Sequence, residues 1–256
     1  MIYIGLDDTD APGTLGTKRL ARILAAELGG EYRCRLIVRH QLLVDPRVPC
    51  TTKNSTAAIM LEARNSEPSR QPPSHGSLID RLGGWVRERY TPGSDPGLCV
   101  TETVPAEVTN FGKRCQRELV GQPEARDLAA RHGMYLEGFG GTEDGVIGAL
   151  AAVGLAAEGD DGRVLQVGEW PDDLAGPQPV EALRARGVEV RSLATGEPVL
   201  AGNVDAGKRL RPNYRHGRVV LFVHPIMPCV TIGCPREQTS PVDTPSATGW
   251  QAVRLT

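Results

Sequence analysis

The chain opens Met1-Ile2-Tyr3-Ile4-Gly5-Leu6-Asp7-Asp8-Thr9-Asp10. Ile2 to Leu6 has the make-up of a short buried strand. Pro12, Gly13 and Gly16 predict a turn after it, and Leu20, Ile23, Leu24 and Leu28 fall on one face of a following helix. Asp7, Asp8 and Asp10 are thus expected at the carboxyl end of a first strand, beside a helix N-terminus, where ligands collect in open α/β sheets. Crowded carboxylates repel one another and are best tolerated in solvent or around a cation. Mg²⁺ against phosphate oxygens suits them, since it takes one or two carboxylates and keeps its own waters. The same residues also suit a solvated strand end with a helix cap. Spacing alone leaves both readings open.

Downstream, Tyr32 to Val44 is β-rich and stops at Asp45-Pro46. A polar loop, Val48 to Ser55, leads to a strand over Thr56–Leu61. Asn65 to Ser77 has the composition of a mobile surface loop. Helical periods cover Leu78–Tyr90, Phe111–Leu119, Pro123–His132, Val146–Ala157 and Val180–Arg186. Strands are expected at Leu98–Thr101, Met134–Glu137, Val164–Val167, Val188–Arg191 and Val219–Val223. Strands alternate with helices in the first half, so the fold class is α/β, with α+β as the alternative. The expected division is 1–121, 122–237 and a polar tail, 238–256.

Composition narrows the function. The chain has 256 residues, 40% hydrophobic and 23% charged, ordinary for a globular protein. Aromatic residues make up 4% and the formal net charge is −2. Base-stacking platforms are therefore scarce, and only a local basic patch would draw nucleic acid. No run of 18 apolar residues and no charged-then-apolar leader is found, so neither a membrane span nor a signal peptide is expected. Cys34, Cys50, Cys99, Cys115, Cys229 and Cys234 are scattered as reduced thiols would be, which points to the cytoplasm.

Other segments carry candidate chemistry. Gly138-Phe139-Gly140-Gly141-Thr142-Glu143-Asp144-Gly145 joins a strand to an apolar helix, a layout in which backbone N–H groups can approach phosphate. It departs from the dinucleotide fingerprint at Glu143 and has no Gly-Lys-Ser/Thr of a P-loop. Thr51-Thr52-Lys53-Asn54-Ser55 offers hydroxyls, an amide and a cation for an oxyanion. Lys208, Arg209, Arg211 and Arg215 form the one dense basic run, suited to nucleotide or RNA phosphates or to an ordinary exposed face. His224, Cys229 and Cys234 are too few for a structural zinc site. No Ser-His-Asp or Cys-His nucleophile is evident.

Four collinear segments carry a resemblance. Ile4 to Asp10 with Gly16-Thr17 is similar to the N-terminus of the archaeal tRNA-isoleucine agmatinylcytidine synthetases. Asp45-Pro46-Arg47-Val48-Pro49-Cys50-Thr51-Thr52-Lys53-Asn54 resembles that family's Asn-Pro-x-Ile-Pro-x-Lys-Thr-Arg-Gly-Asn. Gly145 to Gly154 resembles its Gly-Ile-Ile-Gly-Ala-Leu-Ala-Ala-Ile-Gly, and Asn213-Tyr214 with Gly217-Arg218-Val219 has counterparts as well. The resemblance implies a kinase-like α/β domain joined to a ferredoxin-like domain, with Mg²⁺-ATP bound. It implies ATP-dependent phosphorylation of a cytidine carbonyl, followed by displacement of phosphate by agmatine. Asp7, Asp8 and Asp10 would hold Mg²⁺ and phosphates, and Gly140, Gly141 and Gly145 would line the phosphates. Thr17 stands where the family has a threonine that becomes phosphorylated. Here Lys53 replaces the family arginine, Thr51 its lysine and Asn54 its glycine, which weakens a bidentate phosphate grip.

The family's OB-fold and zinc ribbon have no counterpart, so a catalytic core only is expected. Its phosphoryl acceptor is either tRNA cytidine, with a helper protein, or a small amine- or carbonyl-bearing metabolite, and an agmatine-like amine is a further partner. The alternative is a non-catalytic nucleotide- or RNA-binding module acting through the 208–218 run.

Overall fold

The computed structural model describes residues 1–9, 16–48, 53–64, 75–168, 174–226 and 249–253. Asp10, Cys50, Thr51, Thr52, Cys229 and Cys234 lie outside the described residues, as does most of the polar tail. The chain forms two compact units, Met1–Trp170 with Asn213–Arg218, and Pro171–Pro212 with Val219–Thr256.

The first unit holds β1 (Ile2–Asp7), α1 (Gly16–Glu27), β2 (Tyr32–Gln41), β3 (Ser55–Ala63), α2 (His75–Glu88) and β4 (Gly97–Thr101). It continues with α3 (Ala106–Cys115), α4 (Gln122–Arg131), β5 (Tyr135–Gly138), α5 (Gly145–Glu158) and β6 (Arg163–Val167). After β7 (Pro177–Pro179), α6 (Val180–Ala185), β8 (Val188–Ser192) and β9 (Asn203–Asp205) of the second unit, β10 (Asn213–Arg215) returns to the first. Its strands run β5-β4-β1-β3-β2-β6-β10, and every pairing among them is antiparallel. The mixed α/β class is as expected; the antiparallel sheet is the arrangement that the α+β alternative describes.

Central strand β1 shows how the layers form. Side chains alternate across a sheet, so Ile2, Ile4 and Leu6 enter one core with Leu20 and Leu24 of α1, Leu28 just after it, and Leu78, Leu82 and Val86 of α2. Tyr3, Gly5 and Asp7 face the other side, where α3, α4 and α5 build a second core around Phe111, Leu128 and Leu150. Helix α5 is apolar all round because it lies between sheet and helices, and its residues from Val146 to Leu155 are nearly all buried. Two glycines let it approach. A Cβ on Gly5 would fall on the Ala149 carbonyl, and one on Gly148 would overlap the Asp7 carboxylate. The buried Thr56 hydroxyl, 2.7 Å from the Leu6 carbonyl oxygen and 2.9 Å from that of Gly148, ties β3 to both.

The second unit pairs β8 parallel to β11 (Arg218–Pro225), β11 antiparallel to β12 (Gly249–Ala252), β12 parallel to β9, and β9 antiparallel to β7. Among the described residues no helix is long and apolar enough to cross a membrane. The expected loop over Asn65–Ser77 ends earlier than its composition suggested, since α2 already begins at His75; residues 65–74 lie outside the described set.

Candidate active site

Where β1 ends, the chain leaves the sheet abruptly. Asp7 is still paired in β1, but Asp8 takes a left-handed backbone conformation (φ 42°). Few L-residues accept that conformation; Asp and Asn do so more readily than most. Period-two alternation then puts the Asp7 carboxylate on the α5 side, over Gly148. Asp7 and Asp8 line a cavity of about 370 Å³ inside the first unit. Its other walls are the β2–β3 connection with Arg47, Lys53 and Asn54, the exit of α3 with Cys115 and Glu118, and the start of α5 from Asp144 to Gly148.

Asp95, just before β4, also borders the cavity. Its N–H donates to the Asp8 carbonyl at 3.1 Å, which joins the two strand ends. Its carboxylate accepts the Thr142 N–H at 3.1 Å, the Thr142 hydroxyl at 2.5 Å and the Glu143 N–H at 2.5 Å. The glycine loop is therefore closed on an internal anion. Gly141 (φ 63°) lies against this carboxylate and Gly140 against the Tyr90 ring, and neither lines the cavity, whereas Gly145 does. At the start of α5 the Val146 and Ile147 N–H groups are taken by the Glu143 and Asp144 carbonyls.

Asp95→Ala removes the acceptor of all three bonds. The expected result is a loss of about 2 kcal/mol, the order for hydrogen bonds to a charged group. Amide exchange at Thr142 and Glu143 should speed up with it; unchanged protection there would sink this account of the loop.

Charge in the cavity is unbalanced. Among the described residues that line it, Asp7, Asp8, Asp95, Glu118 and Asp144 stand against two cations, Arg47 and Lys53. Arg47 is engaged, because its Nε and Nη2 donate to the two Asp45 oxygens at 2.8 Å each. These hydrogen bonds hold the Asp45 carboxyl down to about 2. Among the described residues Lys53 is the lining cation without an ion pair, and it is exposed. Burial above all, helped by Glu124 and Asp7, pushes the Cys115 thiol up to about 12, so it stays protonated and inert.

A hard divalent cation fits this donor set. An acidic cavity repels a triphosphate unless positive charge is added, and Mg²⁺ needs only one or two protein carboxylates. Among the described residues there is no group of three or more metal-ligating side chains. Asp7 and Asp8 would hold such an ion with waters and phosphate oxygens completing its shell.

The remaining expected residues are dispersed. Thr17, in the first turn of α1, is 6% exposed; the Thr9 hydroxyl donates to its oxygen at 3.1 Å, and it does not line the cavity. Lys208 and Arg209 are exposed in the second unit, with Arg211 partly buried there. Arg215 belongs to the first unit, where its guanidinium donates to the Asp160 and Tyr214 carbonyls at 3.2 and 2.9 Å. Sequence reasoning passed over Asp95, Glu118 and Asp144. Asp95-Pro96-Gly97 reads as a turn, and only the antiparallel pairing of β4 with β1 carries that turn to Asp8.

No protein-family model matches the chain. Over 154 residues it is 24% identical to tRNA(Ile2) 2-agmatinylcytidine synthetase TiaS of Thermococcus sibiricus, a match covering 60% of this chain and 35% of that enzyme. Among solved structures it is similar to apo TiaS (TM-score 0.51, 21% identity) and to the TiaS-tRNA(Ile2)-ATP complex (TM-score 0.52, 21% identity). Each covers 63% of this chain and 37% of the other. At that identity the structural likeness establishes a shared fold. The chain is similar to part of TiaS, and it spans about 35% of the length of the curated relative it matches.

Proposed function

We propose that this chain is an ATP-using phosphoryl-transfer enzyme of ligase type, related in chemistry to the agmatinylcytidine synthetases. The observation that carries this reading is that Asp7 and Asp8 line a cavity of about 370 Å³ that Lys53 also lines. That volume lies in the range of small-molecule sites. Mg²⁺, held by Asp7 and Asp8 with Asp10 as a further expected ligand, would neutralise phosphate charge and polarise a phosphoryl oxygen.

The protein's own part is positioning, which is most of what phosphoryl transfer asks of it. Lys53 places a point charge against the phosphates from the β2–β3 connection. Gly145 keeps the start of α5 close to the cavity, since a Cβ there would strike the Asp95 carbonyl. Gly148 leaves room for the Asp7 carboxylate. The γ-phosphoryl group would pass from ATP to an acceptor oxygen, ADP leaving with the electron pair of the broken bond. An amine would then displace phosphate. The acceptor is a tRNA cytidine carbonyl, supplied with a tRNA-holding partner, or a smaller carbonyl-bearing metabolite. Agmatine or a similar amine is the second substrate.

Incubation with γ-labelled ATP and Mg²⁺, alone and then with agmatine and total tRNA, tests the reading. Label is expected to reach free phosphate only when both acceptor and amine are present, and chelation of Mg²⁺ with EDTA should abolish it. Label found nowhere in any mixture would leave a binding module as the better description.

A further inference from the structure

On β2, alternate side chains face opposite sides of the sheet. Leu42 packs in the α3/α5 core and Ile37 in the α1/α2 core, so Arg39 belongs to the Ile37 face. The β2–β6 register sets Arg163 directly opposite Arg39. Like charges opposite one another on adjacent strands destabilise a sheet, and here one of the two is deeply buried. Arg39 is 7% exposed, its Nη2 donates to the Gln41 side-chain oxygen at 3.0 Å, and its Nε has no partner.

Gln41 does not supply a counter-charge. Its amide nitrogen donates to the Asn54 carbonyl at 2.5 Å and to the Leu42 carbonyl at 3.2 Å, which turns its oxygen toward Arg39. Burial, and next the Arg163 charge, lower the Arg39 pKa, and no carboxylate contributes. Among the described residues neither arginine has an acidic partner. A buried cation without a counter-charge is costly, and two adjacent guanidiniums match the forked geometry of an oxyanion.

We propose that Arg39 and Arg163 form an oxyanion site that binds a phosphate group, on the sheet face opposite the Asp7 cavity. Arg163 is only partly buried and gives the ligand its way in. The phosphate comes either from a free small phosphate or from a polynucleotide backbone.

Titration calorimetry with inorganic phosphate in magnesium-free buffer at constant ionic strength tests this, and the absence of magnesium keeps the Mg-ATP reading out of the signal. Wild type is expected to bind, and Arg163→Gln to bind about ten-fold more weakly or less, as befits a lost charge-assisted hydrogen bond. Arg163→Lys should fall between them. In phosphate-free buffer Arg163→Gln is expected to melt at or above the wild-type temperature, because the like-charge opposition is gone. A purely structural arginine would give the reverse. Competition by a short RNA without a terminal phosphate would assign the backbone as source; no competition would assign a free phosphate. No phosphate binding by wild type, or equal binding by Arg163→Gln, overturns the proposal.

Discussion

Replacing Asp8 by Asn is expected to weaken Mg-ATP binding by about 100-fold or more, beyond the ~10–100-fold typical of a lost outer-shell metal partner. Asn is the informative substitution because of the backbone. Asp8 sits at φ 42°, and Asn accepts the left-handed region at least as well as Asp. Ala there would add about 1–2 kcal/mol of strain and confuse a binding defect with a folding one. The Asp8 main-chain carbonyl, which accepts the Asp95 N–H, is untouched by the change. Calorimetry with Mg-ATP reads the effect, and an unaltered melting temperature without ligand shows that the fold survives. Equal heats for wild type and Asp8→Asn would remove these carboxylates from the chemistry.

The second large effect concerns stability. Gly5→Ala is expected to cost about 3 kcal/mol, the upper part of the usual range for overpacking a core. The added methyl would land on the Ala149 carbonyl, which is backbone inside a buried helix and cannot rotate aside. Relief would require α5 to lift from β1, and that shift would also move Gly148 off Asp7. The urea midpoint of the variant should fall with little change in slope. A midpoint within error of wild type would mean that α5 does not lie against the sheet as described. The same variant should lose Mg-ATP affinity although Gly5 is no part of the cavity wall.

Several elements were legible in the sequence because one face of each is buried. The apolar run of β1 and the 3.6-residue period of α1 and α2 gave position and type together. Helix α3 was legible only in part. The sequence pattern begins at Phe111, but the helix starts at Ala106 behind Pro105 (φ −66°, ψ 155°). Its first turn carries one large apolar residue, Val108, so its period shows only against α5. Strands β7, β9, β10 and β12 have three or four residues each, too few for a pattern to register. Their existence depends on neighbours distant in sequence.

The alternation of strands and helices pointed to α/β or α+β, with ligands expected at the carboxyl end of the first strand. The first unit uses antiparallel neighbours, and its cavity edge is built from strand ends and strand starts alike. Asp7 ends β1, Gly97 begins β4 opposite it, and Ser55 begins β3 nearby. Asp95 and Lys53 are therefore brought to Asp7 by the starts of β4 and β3, and no motif linking them exists along the chain.

The sequence by itself determined that a strand would deliver adjacent carboxylates to the start of a helix, since side-chain period and turn chemistry are local properties. It also determined that the glycine loop would lead into an apolar helix that is largely buried, because such a surface has no other stable place. Only the tertiary structure decided what those pieces face. Asp95 occupies the loop amides that a phosphate was expected to use, Lys53 remains as the cavity's cation without an ion pair among the described residues, and Arg39 meets Arg163 across a strand boundary. Each of those outcomes depends on strand order and register, which are set by the summed packing of both cores and by no single segment.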